Sequence, residues 1–238
     1  MAIKAARHGR YPNLVLLEYD QLNSPMDEPV VQQCRGIILD EADRWRVICR
    51  PYDKFFNYGE PHAAAIDWST ARVYEKLDGS LMTLYFYAGE WHVASSGTPD
   101  ARGGVKTGYD GTYADLFWRT FRECAYALPP RGRYTDSSFM FELMTPHNRI
   151  VIPHGEAHLI LHGVRSIETF RESGPEAMAD CLGWRCAGSF PLSSFADVMA
   201  AAAELDPMRV EGEVVRDGRF NRVKVKSPRY VALAHLKE

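Results

Sequence analysis

The sequence predicts an α+β fold of mainly antiparallel sheets with flanking helices, and two observations lead to this class. Short runs with β-branched or alternating apolar residues outnumber the helical patterns. The helical patterns do not alternate regularly with these runs, as the helices of a doubly wound fold would. With 238 residues, of which 46% are hydrophobic, the chain can bury a substantial core. We therefore expect residues 1–238 to form a single domain.

The predicted strands are nine short runs with the period of an extended chain. They cover residues 14–19, 36–39, 45–49, 81–87, 139–143, 149–152, 158–164, 209–215 and 222–225.

Two segments have the pattern of helices. Residues 112–128 place Leu116, Phe117 and Phe121 on one face, and a pair of prolines follows. Residues 193–205 begin with a serine cap and continue into an alanine run before another proline.

Charge and cysteine usage narrow the classes of function. No apolar run approaches the roughly 18 residues of a membrane span, and the N-terminal segment lacks the apolar core of a signal peptide. The five cysteines include no CxxC pair, which favours reduced thiols over a disulfide framework or a zinc site. We therefore expect a cytoplasmic protein. The net charge of −3 argues against a protein that coats DNA indiscriminately, although a local basic cleft would suffice for a nucleic-acid enzyme.

The segment around Lys76 has the residue types of a nucleophilic centre. An amine attacks phosphorus only when unprotonated, so burial or nearby cations must lower the pKa of any nucleophilic lysine. Asp78 is placed to orient the amine, and Gly79 lets the backbone turn and approach a phosphate closely. An ordinary Asp-Gly hairpin turn beside a solvated lysine explains the same residues, so this motif alone does not decide.

Three charged residues farther along the chain complete a set suited to phosphoryl transfer. Lys224 and Lys226 are two apart in a predicted strand, so their side chains share one face and attract a polyanion such as a triphosphate. Glu211 offers a carboxylate for a hard divalent cation, Mg²⁺ or Mn²⁺, against phosphate oxygens. An edge strand that uses lysines to prevent aggregation is the alternative explanation. The surrounding basic cluster, which equally fits a solvated face, consists of Arg216, Arg219, Arg222, Lys224, Lys226 and Arg229.

Taken in order, the motifs resemble those of the ATP-dependent RNA ligases, a branch of the covalent nucleotidyltransferases. They are CRGII at 34–38, RPYDKFFN at 50–57, KLDGS at 76–80, FELMTPHNRIVIP at 141–153, EGEVV at 211–215 and VKVKSPRYV at 223–231. The resemblance is strongest to phage RNA ligases of the tRNA-repair type. It implies a nearly minimal nucleotidyltransferase (adenylation) domain, with no appended C-terminal domain.

The resemblance implies that Lys76 is the residue that becomes adenylated, with Asp78 and Gly79 completing its motif. Glu211 would serve the metal, while Lys224 and Lys226 would hold the phosphates. The remaining residues assigned to nucleotide binding are Arg35 and Lys54 at the ribose or phosphates, Phe56 in the same pocket, Glu75 near the adenine, Glu142 at the ribose and Tyr230 completing the set.

One residue departs from the family pattern. Where the family usually carries a lysine soon after the hairpin of the nucleophile, this chain has Ser96 in the run SSGT. We expect this phosphate contact to be absent or to come from Arg102 or Lys106.

The function implied is a three-step RNA ligase that uses ATP and Mg²⁺ or Mn²⁺. AMP passes from ATP to Lys76, then to an RNA 5′-phosphate, and an RNA 3′-hydroxyl displaces it; no membrane and no obligate protein partner are expected. One alternative is a nucleotidyltransferase with another acceptor or donor, such as a capping guanylyltransferase or a small-molecule adenylyltransferase. Another is a non-catalytic RNA-binding module on the same fold.

A histidine-based metal site is disfavoured by the sequence. His154, His158 and His162 have the four-residue spacing of metal ligands on a helix. The neighbouring Pro153 and Gly155 and the alternating run after them instead predict a turn and a strand.

Overall fold

The computed structural model describes residues 2–105 and 108–235. Within these residues the chain has the mixed α+β fold that the sequence predicts, with three sheets and few helices. All but one of the strand pairs in the described sheets are antiparallel, so the predicted sheet type is confirmed.

The secondary-structure elements are numbered in chain order. The strands are β1 (Ile3–Arg7), β2 (Leu14–Tyr19), β3 (Arg35–Asp40), β4 (Arg46–Cys49), β5 (Phe56–Asn57), β6 (Arg72–Lys76), β7 (Ser80–Tyr87), β8 (Glu90–Ser95), β9 (Ser137–Met144), β10 (His158–Ser166), β11 (Glu172–Ser173), β12 (Ser189–Phe190), β13 (Gly212–Arg216) and β14 (Arg222–Lys226). The helices are α1 (Pro29–Gln33), α2 (Tyr113–Glu123), α3 (Pro175–Leu182), α4 (Phe195–Glu204) and α5 (Pro228–His235), and a 3₁₀ turn covers Glu41–Asp43.

The chain divides into two compact units. The first comprises Met1–Lys54, Ser80–Asn148 and Ala157–Cys186 and contains two sheets, with strand orders β1-β2-β3-β4 and β11-β10-β9-β7-β8. Its larger core packs Phe117 of α2 against Phe139 and Phe141 of β9, all fully buried. This burial follows from the apolar face that the sequence predicts for α2.

The second unit comprises Phe55–Gly79, Arg149–Glu156 and Ala187–Glu238, and its sheet has the order β12-β6-β13-β14-β5. On one face of this sheet Val223 and Val225 of β14 pack with Val198 of α4 in an apolar core. Because side chains alternate along a strand, Lys224 and Lys226 lie on the opposite face. The predicted shared face of the two lysines is therefore present.

The predicted helix at 112–128 ends earlier than expected. Thr112 caps α2 by a reciprocal capping box with Asp115, as its sequence favours. The helix ends at Glu123 because Ala125 takes a left-handed backbone conformation, with φ of 56°. The prolines farther on therefore do not set its end.

The predicted strand at 149–152 is wrong. No strand is assigned there, and the amides of Val151 and Ile152 donate to one carboxylate oxygen of Asp78, at 3.0 and 2.6 Å. Since these amides are taken by a side chain, they are not available for a sheet ladder. The apolar run at 149–152 is therefore a loop whose amides are bound by the Asp78 side chain.

Candidate active site

Lys76 ends the β6 strand and stands in line with a second lysine two strands away. The register pairs Lys76 with Gly212 of β13, and Gly212 in turn with Lys226 of β14. Residues paired across neighbouring strands project to the same face. The two lysines therefore flank a position that has no side chain.

Gly212 is required at that middle position. A Cβ atom there would clash with the carbonyl oxygen of Val225 and lie 2.8 Å from the Cα of Lys226. Its φ of +154° is also unfavourable for residues with a side chain. The close approach of β13 and β14 thus depends on glycine.

The Glu211 carboxylate bridges the two lysines. Its Oε2 accepts a hydrogen bond from Lys76 Nζ at 2.6 Å, and its Oε1 is 3.0 Å from Lys226 Nζ. Glu211 is only 5% exposed, and its backbone oxygen accepts from Ser227 N at 2.9 Å. Buried charges are stable only when they are paired, so the Glu211 carboxylate and the two lysines compensate one another.

Lys224 and the aromatic rings around it extend this cationic surface. Lys224 Nζ is 5.3 Å from the ring centroid of Phe55, and Lys226 Nζ is 5.8 Å from that of Tyr230. Both are distances at which a cation is attracted to an aromatic face. The two lysines that the sequence predicts for the phosphates therefore lie beside the Lys76–Glu211 pair, joined to it through Lys226.

Asp78 holds the segment that follows Lys76. Besides the amides of Val151 and Ile152, its carboxylate accepts a hydrogen bond from the Tyr230 hydroxyl at 2.7 Å. The backbone oxygen of Asp78 accepts from His154 Nε2 at 2.7 Å, which fixes the proton on that nitrogen. These hydrogen bonds tie the loop at 149–156 and α5 to the Lys76 segment. The hydrogen bonds thus locate Asp78 as a positioning residue for the backbone.

Two acidic residues lie opposite each other on the other face of the sheet. Glu75 of β6 pairs in register with Glu213 of β13. Burial raises the pKa of both carboxyls, that of Glu213 to about 7. Within the part of the chain that the structure describes, Oε2 of Glu213 is buried without a hydrogen-bond partner. Neutral Glu213 is therefore the form that this environment favours.

Phe56 is buried in β5, where it pairs in register with Val223 of β14. Its ring centroid is 5.4 Å from that of His62. Gly79, which follows Asp78 in the KLDG motif, directly precedes β7. The second unit thus contains Phe56, Glu75, Lys76, Asp78, Gly79, Glu211, Lys224, Lys226 and Tyr230 of the predicted set.

The first unit contains the other three predicted residues, Arg35, Lys54 and Glu142. Arg35 opens β3, and Lys54 Nζ is 5.2 Å from the ring centroid of Tyr19. Glu142 of β9 is half-buried, with Oε2 at 3.4 Å from Nε2 of His162. A carboxylate within an apolar run requires such a partner, as its sequence context predicts.

His162 is itself held by a tyrosine that the sequence analysis did not select. Tyr52 donates its hydroxyl to the backbone oxygen of His162 at 2.6 Å and lies 3.0 Å from Nδ1 of the same residue. A side chain at Gly163 would clash with this hydroxyl. Tyr52 thus fixes His162 through its backbone oxygen, and Glu142 lies 3.4 Å from Nε2 of the same histidine within the first unit.

The position of the missing family lysine is on the surface. Ser96 is exposed directly after β8, and the substitute Arg102 is 3.7 Å from Asp100. Lys106, the other suggested substitute, lies outside the described residues. The source of this phosphate contact stays a prediction.

Glu211 is the candidate residue for holding a divalent metal ion. The described residues contain no group of three or more His, Cys, Asp or Glu side chains able to hold a metal. His158 and His162 lie in the strand β10, as predicted, and His154 lies in the loop that binds Asp78. A lone buried carboxylate suits Mg²⁺, which keeps waters and binds through one or two carboxylates together with phosphate oxygens.

Comparison with known proteins decides the family. The model of an RNA ligase family matches residues 33–230. The chain belongs to this family. An RNA ligase from Rhodothermus phage RM378 is 33% identical to it over 202 residues, which are 70% of this chain and 45% of that protein. The chain therefore spans less than half the length of this relative of the RNA ligase family.

Solved structures of RNA ligases share the fold. An archaeal ATP-dependent RNA ligase superimposes with a TM-score of 0.64 at 16% identity, covering 99% of this chain and 60% of that one. A Naegleria gruberi RNA ligase variant, solved with ATP and manganese, has a TM-score of 0.52 at 14% identity and covers 70% of this chain and 52% of its own. These likenesses establish the nucleotidyltransferase fold that the motifs imply for this RNA ligase family member.

Some residues of this family member have positions that the motif analysis did not anticipate. His154 and Tyr52 occupy polar contacts that only the folded chain reveals, because their partners are a backbone oxygen and a distant histidine. Gly212 was visible within EGEVV, although its spacer role depends on strand register. Among the described residues of this RNA ligase family member, no helix is long and apolar enough to cross a membrane.

Proposed function

We propose that this chain is an ATP-dependent RNA ligase in which Lys76 forms a covalent bond to AMP. The observation that carries the proposal is the convergence of Lys76 and Lys226 on one buried carboxylate, Glu211. An amine, two phosphate-binding cations and a metal-binding carboxylate are the groups that nucleotidyl transfer needs. Membership of the RNA ligase family supports the same assignment.

In the first step, the Lys76 amine attacks the α-phosphorus of ATP. A nitrogen–phosphorus bond forms, the bond to the β-phosphate oxygen breaks, and pyrophosphate leaves while the amine loses a proton. Lys226 and Lys224 balance the charge of the phosphates, and the contacts of Glu211 with Lys226 and Lys76 place these two lysines side by side.

In the second step, an RNA 5′-phosphate displaces Lys76 from the AMP phosphorus and becomes a 5′-adenylated end. In the third, an RNA 3′-hydroxyl attacks that 5′-phosphate, AMP leaves, and the phosphodiester is complete. RNA with a 5′-phosphate and a 3′-hydroxyl is therefore the proposed substrate pair. All three steps transfer a phosphoryl group, so the same two lysines, Lys224 and Lys226, are proposed to serve in each of them.

A divalent cation fits beside Glu211. Mg²⁺, or Mn²⁺ as in the ligand set of the Naegleria gruberi structure, would neutralise phosphate oxygens as negative charge builds on them. Glu211 would hold the cation through its carboxylate oxygens. Its burial keeps the carboxylate in one position for that purpose.

The other residues of the predicted set are proposed to bind the nucleotide. We assign Arg35 and Lys54 to ribose or phosphate contacts, and Glu142 to the ribose. The position of Glu142 within an apolar strand supports this role, because a mostly buried carboxylate there requires a polar partner. For the second unit we assign Phe56 and Glu75 to the base pocket, with Asp78, Gly79 and Tyr230 shaping the Lys76 segment.

The proposal extends to the organisation and location of the chain. We propose that residues 1–238 act as one nucleotidyltransferase domain, built from the two compact units. A cytoplasmic location is proposed as well, supported by five cysteines that are all free thiols. No obligate protein partner is included in the proposal.

A sealing assay tests the proposed activity. Purified protein is incubated with a 5′-labelled, 5′-phosphorylated single-stranded RNA, Mg²⁺, and ATP or GTP. We expect ATP-dependent joined or circular product from the wild type and none from Lys76→Ala. Lys76→Ala should still seal RNA that is already 5′-adenylated, because the first two steps are bypassed. Product with GTP alone would instead favour a guanylyltransferase, and no product with either nucleotide would refute the ligase.

A further inference from the structure

A cavity of about 440 Å³ opens in the second unit next to the two phosphate-binding lysines. It lies among β5, β14, α4 and α5, and its lining includes Asn57, Tyr58, Met199, Lys224 and Lys226. Cavities of this size are typical of small-molecule sites. Lys76 and Glu211 are not part of the lining, so the cavity is distinct from the position of the reacting amine.

Two cationic residues and an aromatic residue are among those that line this cavity. Lys224 and Lys226 of β14 contribute to one side of the lining. Tyr58 is 50% exposed, and its ring stacks on Phe195 at 4.2 Å between centroids, with the planes 30° apart. The stack fixes the orientation of Tyr58 while leaving much of its surface open. A basic side beside an oriented aromatic ring is the combination that binds single-stranded nucleic acid.

Asn57 is a further polar residue of the same lining. Its backbone amide and its side-chain Nδ2 both donate to the Glu60 carboxylate, which fixes the side chain. Its Oδ1 is buried, so the part of Asn57 that a ligand in the cavity meets is not this oxygen.

The apolar part of the lining suits a base rather than a second phosphate. Met199 on α4 is 45% exposed, and Val231 of α5 also lines the cavity. A methionine adapts its shape to a flat aromatic ligand and interacts favourably with its edge. The lining thus offers cationic residues for a phosphate and an aromatic and apolar surface for a base.

We propose that this cavity binds one nucleotide of the RNA strand, next to the nucleotide that reacts. The inference rests on the proposed ligase function and adds a substrate subsite to it. Lys226 links the two sites, because it lines the cavity and contacts Glu211, which contacts Lys76. A phosphate at Lys224 and Lys226 would leave its base against Tyr58, and stacking tolerates any base.

The test measures sealing of 5′-adenylated RNA separately from lysine–AMP formation. Tyr58→Ala removes the stacking ring, and Met199→Glu places a negative charge at the rim without altering a buried residue. We expect each to raise the KM for RNA about tenfold, as the loss of one stacked base would, with the KM for ATP in lysine–AMP formation unchanged. Tyr58→Phe should retain the wild-type KM. Phe190→Ala, an exposed aromatic of β12 outside the cavity, is the matched control.

Two titrations identify whether the cavity binds the acceptor RNA or the donor RNA. Acceptor RNA is titrated at saturating adenylated donor, and donor is titrated at saturating acceptor. A raised KM in either arm supports the subsite and names the strand. Unchanged KM values in both arms, or an increase confined to ATP, would overturn it.

A binding measurement keeps this test independent of the proposed activity. Fluorescence anisotropy of a labelled RNA oligonucleotide reports binding even when no product forms. If the wild type forms no lysine–AMP yet binds RNA more tightly than Tyr58→Ala and Met199→Glu do, the ligase proposal fails and the subsite stands. If the variants bind RNA as the wild type does, the subsite is refuted whatever the enzyme catalyses.

Discussion

Glu211 contacts both the proposed nucleophile, Lys76, and Lys226, which is proposed to bind phosphate. Its carboxylate balances the charge of both lysines, and the proposed mechanism also assigns it to the divalent cation. An amide at this position would carry no charge to balance the lysines.

We therefore expect Glu211→Gln to impair every step that moves a phosphoryl group. Sealing of 5′-adenylated RNA should fall about 100-fold or more, the scale of losing one electrostatic contact to a transition state. Lys76→Ala should retain sealing of the same substrate. Single-turnover rates of the two variants provide the comparison, and a rate for Glu211→Gln equal to the wild-type rate would remove Glu211 from the metal site.

Gly212 makes the second prediction at this scale. Gly212→Ala introduces a clash with the Val225 carbonyl, so β13 and β14 must separate locally. We expect a loss of stability of about 2 kcal/mol, in the range of overpacked sites, together with loss of lysine–AMP formation. Urea unfolding measures the first quantity and gel labelling the second.

Gly155→Ala is the control for Gly212→Ala. Gly155 belongs to the same unit and has no atom within 4 Å of its would-be Cβ. Its replacement should leave stability and labelling near wild type. A Gly212→Ala protein as stable and active as this control would show that the spacer role is wrong.

At the scale of elements, β6 and β13 carry two different chemistries on their two faces. One face has Lys76 with Gly212 as its neighbour in register, and the other has Glu75 opposite Glu213. The period of a strand makes this separation unavoidable, since adjacent residues project to opposite sides. Glu75 and Glu213 therefore share the face opposite that of Lys76 and Gly212.

The pH dependence of folding should reveal Glu213. Burial raises its pKa from 4.5 to about 7, so the folded protein binds a proton that the unfolded chain has released between these values. Stability consequently falls as pH rises from 4.5 to 7, and the loss above pH 7 is about 3 kcal/mol. Glu213→Gln should be more stable than wild type at pH 8 and similar at pH 4.5.

Thermal unfolding at several pH values checks this prediction. The difference in Tm between Glu213→Gln and wild type should grow between pH 4.5 and pH 7 and then stay constant. Glu204→Gln, a substitution in the last turn of α4, is a control for loss of one negative charge. A pH-independent difference for Glu213→Gln would contradict the raised pKa.

The sequence predicted strands well where apolar alternation coincided with a sheet, and failed where side chains intervened. The strand at 14–19 was predicted to the residue, and β7, β9, β10 and β14 to within two. The strand predicted at 149–152 is wrong because the carboxylate of Asp78, distant in the sequence, accepts hydrogen bonds from two of its amides. The predicted end of α2 is too late because no sequence pattern predicts the left-handed backbone of Ala125. Short strands such as β5 and β12 have too few residues to show a period.

For the candidate site, the order of the sequence motifs predicted which residues belong to it but not which atoms they contact. Lys76, Glu211 and Lys226 were grouped from the sequence, and the structure brings these three together. The positioning role of Asp78 through Tyr230 and two backbone amides depends on long-range geometry that spacing does not encode. The cavity beside Tyr58 was also beyond the sequence, since its lining comes from four separate elements.

For the whole molecule, the net charge of −3 limits how RNA is bound. A chain with this balance would bind RNA through a local cationic surface, and the proposed subsite includes Lys224 and Lys226 in that surface. Few phosphates would then be neutralised, and RNA sequence would matter less than the chemistry of the ends. Affinity should depend on salt only modestly.

A salt series measures this property directly. With about three phosphate contacts, the plot of log K against log salt should have a slope of about −2 for single-stranded RNA. Lys224→Ala should reduce the magnitude of this slope by about 0.7, the share of one contact. A slope of about −6, or strict preference for one folded RNA, would place binding on a different surface.

The central claim is that Lys76 carries AMP, and the mass of the intact protein tests it most directly. After incubation with ATP and Mg²⁺ under conditions that remove pyrophosphate, the wild type should gain the mass of one AMP. Fragmentation should place the adduct on Lys76, with acid removing it and base leaving it in place, as for a phosphoramidate. Lys76→Ala should gain nothing. An adduct on another residue, or an equal adduct in Lys76→Ala, would contradict the account.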